Sequence, residues 1–242
     1  MGAFWMKIAA LTGEQDFLRI TKAGQAWYGG DQEWFDFTVG KYGGCGTVAA
    51  ANITAYLALH FEALRKLYEP EDLEKDNFVF HMNGMYQWVR PWKVPFVNKN
   101  RPLWKTFGWT FGVWPAGRLM RGVERYAKMR GLRLTGKKMG SRRPVEELVG
   151  FIRESLGRDC PVAMLIGRRP RYERERVTRP DGSGWLQNHF SMHWVVVTAL
   201  TKKNGAVMVK VTTWGGYAWL DLGQWQEAGS LMAGLVSFTW DD

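Results

Sequence analysis

The stretch GKYGGCGTVAAANITAYLALH, residues 40–60, decides how the rest of the chain is read. Glycines at Gly40, Gly43, Gly44 and Gly46 surround one cysteine, Cys45. The next run, from Thr47 to Tyr68, is rich in Ala and Leu and holds neither Pro nor Gly. It predicts a helix of about five turns, buried at its start. Pro70 stands just past its end. Cys45 therefore falls where a helix begins. Backbone N–H groups and the helix dipole at such an end stabilise a thiolate and lower its pKa. The same N–H groups can hold an oxyanion once the thiolate attacks a carbonyl, and the glycines beside it let a substrate approach closely. The competing reading is a small buried residue among alanines, since a cysteine outside a disulfide is commonly buried and inert.

A thiol nucleophile needs a base within hydrogen-bond reach. The histidines are His60, His81, His189 and His193. His60 lies too far along the helix to reach back to Cys45, and His81 falls in a stretch without clear periodicity. His189 and His193 bracket a short segment before VVVTAL, and His193 opens that strand directly, so its ring can be held and aimed. His193 comes 148 residues after Cys45, within the roughly 130–150 of the papain arrangement. The spacing of His189 and His193 suits a metal on a helix, but this segment reads as loop and strand and offers no third ligand, so no metal or cofactor is expected. Cys160, in RDCPV at the edge of an apolar strand, has nothing to activate it.

Outward from residues 40–60 the chain divides by pattern. Residues 1–40 mix aromatics, glycines and acids and read as an irregular lead-in. Residues 71–115 carry Pro91, Pro95 and Pro102, which argue for an irregular insertion and a candidate lid. Residues 116–130 predict an amphipathic helix stopped by Gly131. LRLTGKKM predicts a strand. A further helix opens at Ser141, with Glu146 and Glu147 in an early turn. PVAMLIG, HWVVVTAL, AVMVKVTTW and the final LVSFTW predict strands, the middle two joined by a hairpin turn at KKNG. The segment 168–188, charged and turn-rich, reads as a loop. Helices first and an antiparallel sheet after them make an α+β chain. Residues 1–242 read as one domain, a helical N-terminal part carrying the Cys45 helix packed on a C-terminal antiparallel sheet.

The composition is globular, with 46% hydrophobic and 23% charged residues in 242. The 14 tryptophans suit a core or a groove for an extended ligand. A net charge of +10, gathered at Arg118–Arg143 and Arg168–Arg179, favours acidic partners. No nucleic-acid module is recognisable, so nucleic acid is not the expected partner. Two cysteines make no disulfide framework, no charged-then-apolar leader opens the chain, and no apolar run reaches the ~18 residues of a membrane span. The expectation is a cytoplasmic protein.

GGCGTVAAANI, DCPVAMLIG, HWVVVTAL and VKVTTWGGYAWLDL, in that order, resemble the blocks of papain-like cysteine peptidases. They look most like the bacteriocin-processing, double-glycine-leader branch, over roughly residues 40–60 and 115–240. The resemblance implies a papain-like fold, with Cys45 as nucleophile, His193 as general base, and Trp214–Gly215 as the block after the third strand. The family's Asn or Asp stands just before that pair. Here Thr212 and Thr213 do, and Thr212 aligns best as the residue orienting the imidazole. A hydroxyl can fix the tautomer but cannot stabilise imidazolium as a carboxylate would. The family also carries a Gln about six residues before its Cys. Val39 occupies that position, and Gln32 is the nearest upstream Gln. The implied activity is a cysteine peptidase, or a related thiol-dependent amide hydrolase or acyl transferase, acting on peptide or protein substrates, with acidic ones suited to the charge. The family cuts after small residues such as paired glycines. The alternative is a catalytically weak or inactive fold kept as a peptide-binding module. A transglutaminase-type reaction is disfavoured by the long Cys-to-His interval, and a nucleic-acid binder rests on charge alone.

Overall fold

The computed structural model describes residues 5–91, 112–168, 172, 175–187 and 190–241. Its centre is α2 (Cys45–His60), buried from Cys45 through Ala58. A helix buried all round needs small side chains where its backbone meets its neighbours, and Ala49, Ala50, Ala51 and Ala55 supply them. It packs against the sheet on one side and against α3 (Lys75–Tyr86) and α4 (Ala116–Met129) on another. α1 (Thr38–Gly43) precedes it, with Gly44 as the joint between the two. α2 is shorter than the composition of residues 47–68 suggests. Phe61 leaves helical geometry and packs on Trp240 at 4.6 Å, and a 3₁₀ segment, Glu62–Leu67, continues from it.

The sheet has nine strands and is antiparallel throughout. Across it lie β4 (Thr135–Gly140), β11 (Gly234–Thr239), β5 (Val162–Ile166), β8 (His193–Lys203), β9 (Ala206–Thr213), β10 (Gly216–Asp221), β6 (Glu175–Thr178) and β7 (Gly184–Gln187). β1 (Trp5–Ala10) pairs with the second half of β8, alongside which β5 covers the first half. The strands expected at PVAMLIG, HWVVVTAL, AVMVKVTTW and LVSFTW, and the turn at Asn204–Gly205, form as read. α5 (Val145–Gly157) and α6 (Leu222–Glu227) complete the elements. Ser141 does not cap α5. Pro144 holds that position, and the Ser141 hydroxyl donates to the Ser230 carbonyl instead.

Three stretches read as irregular hold regular elements among their described residues. The lead-in holds β1 and a hairpin of β2 (Arg19–Lys22) and β3 (Gln25–Tyr28). Its turn, Ala23–Gly24, has positive φ at both residues, and the alanine there disguises the hairpin signal. The helices therefore do not all precede the sheet. Within 71–115, Phe78, His81, Met82 and Met85 are buried at helical spacing on α3, which ends at Tyr86, before the first of the prolines. Residues 92–111 of the candidate lid lie outside the described residues. The charged segment 168–188 contains β6 and β7, which form the far edge of the sheet, and edge strands tolerate charge.

Candidate active site

Cys45 begins α2 and His193 begins β8, and both line one small cavity together with Gly30, Gln32, Thr213 and Trp214. The room inside is about 10 Å³, the volume of a single water or a substrate oxygen. The backbone N–H groups of Trp194, Gly46 and Cys45 itself lie near enough to the Cys45 sulfur to favour its thiolate. The Trp194 amide is the peptide next to His193, so the thiol lies against the strand that carries the histidine. On the other side, a side chain at Gly112 would stand 3.9 Å from the Cys45 sulfur, and Val113 packs over Gly46. The Trp194 indole N–H donates to the Val113 carbonyl at 2.7 Å and ties that segment down over the site.

His193 is 7% exposed. Its Nε2 is hydrogen-bonded to the Thr213 hydroxyl at 2.8 Å, which leaves Nδ1 for the cavity. The Trp214 indole lies parallel to the imidazole, centroids 4.1 Å apart and planes at 9°, and Phe190 meets that indole edge-on at 4.9 Å. Trp214 and Gly215 form the turn from β9 to β10, both at positive φ. The turn is clamped from the lead-in, because Tyr28 N–H donates to the Gly215 carbonyl at 2.9 Å and Gly215 N–H to the Gly30 carbonyl at 3.2 Å.

Thr212 is not the partner of His193. Successive strand residues face opposite ways, and the Thr212 hydroxyl donates to the Tyr28 carbonyl at 2.5 Å. Thr213 takes the place assigned to Thr212, because the tight turn begins immediately after it. Thr212 still lines the cavity, so the sequence locates its neighbourhood and mistakes its partner.

Gln32 comes to the site from 13 residues upstream of Cys45, since a 3₁₀ turn at Gln32–Trp34 and α1 fold back between them. Its Nε2 donates to the Lys41 carbonyl at 2.7 Å, while its Oε1 is buried with no partner among the described residues. Val39, at the position the family's spacing names, lies in α1 and is not among the cavity-lining residues.

Electrostatics run against one expectation. Burial raises the Cys45 pKa, and the N–H groups at its sulfur only partly oppose it. The lowering that a helix N-terminus promises is overcome by enclosure. Burial also brings His193 down to about 3. The cavity is thus lined by a neutral thiol and a neutral imidazole.

The other candidates lie elsewhere. His81 is buried on the Thr54 hydroxyl at 2.9 Å, with its pKa lowered by burial to about 3. His60 reaches Asp159 at 3.3 Å. His189 lies outside the described residues. Cys160 is fully buried and accepts from Ser237 at 3.9 Å, and burial raises its pKa. Among the described residues no group of three or more His, Cys, Asp or Glu is placed to hold a metal ion, and no helix is long and apolar enough to cross a membrane. The chain matches no protein-family model and no curated protein.

Proposed function

We propose that the protein is a thiol-dependent amide hydrolase, a cysteine peptidase with a papain-like site acting on peptide substrates. The observation that carries the reading is the shared cavity of Cys45, at a helix start, and His193, at a strand start, with Thr213 fixing the far nitrogen of the ring. In this mechanism His193 Nδ1 takes the Cys45 proton as the sulfur attacks the carbonyl carbon. The imidazolium then protonates the leaving amine, and water hydrolyses the thioester with the ring again as base. The backbone N–H groups at the head of α2 and a turned Gln32 amide hold the oxyanion. The Trp214 face supplies cation–π support to the imidazolium, offsetting part of what a carboxylate would contribute.

A second reading has its own observation. The closed cavity, the raised thiol pKa and the hydroxyl in third position suit a fold retained for binding peptides with little catalysis. Alkylation separates the two. With iodoacetamide, Cys45 is expected to react faster than the fully buried Cys160, with a rate that climbs with pH and falls in His193→Ala. Equal rates at the two cysteines, or indifference to His193, would remove the hydrolase reading.

A further inference from the structure

A second pocket lies away from Cys45, on the face of the sheet where β1, β8, β9 and β10 run side by side. It encloses about 370 Å³, the size of a small-ligand site. Trp5 from β1 and Trp219 from β10 form one wall, their rings 4.8 Å apart, and Tyr217 continues it. The floor is charged. Lys210 Nζ is 2.5 Å from a Glu14 carboxylate oxygen, and the two side chains are only 9% and 11% exposed. The ammonium also stands over the rings of Tyr217 and Tyr28, at 4.3 and 4.7 Å. Lys7 lies exposed at the rim, and Lys203 sits over the Trp5 ring at 4.7 Å.

A buried ion pair is weak evidence for stability, since desolvation offsets most of its attraction. Set under an aromatic wall and open to a cavity, it is a polar anchor for something that stacks. The sign of that partner comes from the balance of charge. Glu14 and the Lys210 ammonium offset each other, so the field left over comes from Lys7 and Lys203, and it is positive. We propose that this pocket is a ligand site, separate from Cys45 and His193, for a compact molecule pairing a flat ring with a carboxylate. The ring lies on Trp219 and Tyr217, and the carboxylate turns toward Lys210 and Lys7. Nothing in this assignment depends on the hydrolase reading.

Titration with indole-3-propionate, monitored by calorimetry or ligand-observed NMR, tests it. The expected dissociation constant is about 1 mM or tighter. Tryptamine, with the same ring and the opposite charge, is expected to bind at least about tenfold more weakly. Trp219→Ala, at a half-buried position, should weaken the carboxylate probe by about tenfold or more. Lys7→Gln, fully at the surface, should weaken it less while leaving binding of uncharged 3-methylindole unchanged. Cys45→Ser should bind as the parent does. The proposal is overturned by no saturable binding, by tryptamine binding as well as the acid, by full affinity in Trp219→Ala, or by loss of binding in Cys45→Ser, which would put the probe in the other cavity.

Discussion

Adjacent threonines with the same side chain have separable duties here. The Thr213 hydroxyl is the partner of the His193 ring, and the Thr212 hydroxyl ties β9 to the Tyr28 carbonyl. Thr213→Val should therefore lower hydrolysis by about tenfold or more and move its pH profile, beside a stability cost of about 1 kcal/mol for its own lost buried hydrogen bond. Thr212→Val should lower stability by about 1 kcal/mol for the lost buried hydrogen bond and leave the profile in place. Thr213→Asn should raise the rate if the site is competent but under-supported. Steady-state kinetics on a model peptide amide, beside thermal melts of all three variants, reads both effects. An unchanged profile in Thr213→Val would mean that the hydroxyl does not hold the base.

Gly46 sits in the first turn of α2, where an alanine would ordinarily favour the helix by about 1 kcal/mol. A methyl group there would come within 2.6 Å of the Val113 Cβ, and neither atom is the end of a flexible chain. Gly46→Ala should thus destabilise the protein despite the better helix former, and a higher melting temperature would refute the close packing of Val113 on α2. The same element shows what sequence reading catches and misses. The start of α2, its alanines and the strand that His193 opens are all legible in local pattern, because composition and period act within a few residues. The partner of His193 is misplaced by one position, Thr212 for Thr213, since alternation decides the face and only the turn at Trp214–Gly215 sets the phase. Gln32 carries no legible role in the sequence, because its approach depends on the chain folding back through α1. The direction of the Cys45 pKa is hidden for a similar reason, as enclosure by Trp194 and Val113 comes from segments far along the chain.

For the molecule as a whole, two deeply buried histidines among the described residues link stability to pH. His81 and His193 both have folded pKa values lowered to about 3, against 6.5 in an open chain. Between those values the unfolded chain binds protons that the folded chain refuses. Stability therefore falls as pH drops below about 6.5, by up to about 1.4 kcal/mol per pH unit for each histidine. Urea denaturation of the parent and of His81→Gln from pH 7 to 4.5 should show a shallower decline in the variant, and equal slopes would show that His81 is hydrated. The pairing of β1 with β8 carries a different consequence. Trp5 lies opposite Lys203 and Ala10 opposite Ala199, so β1 finds its partner only once β8, 189 to 198 residues further along, has been made. Cys45 waits likewise for His193. Until β8 has emerged, a nascent chain holds an unpaired edge and a separated thiol and imidazole, so folding is slow and the proposed chemistry is withheld until then.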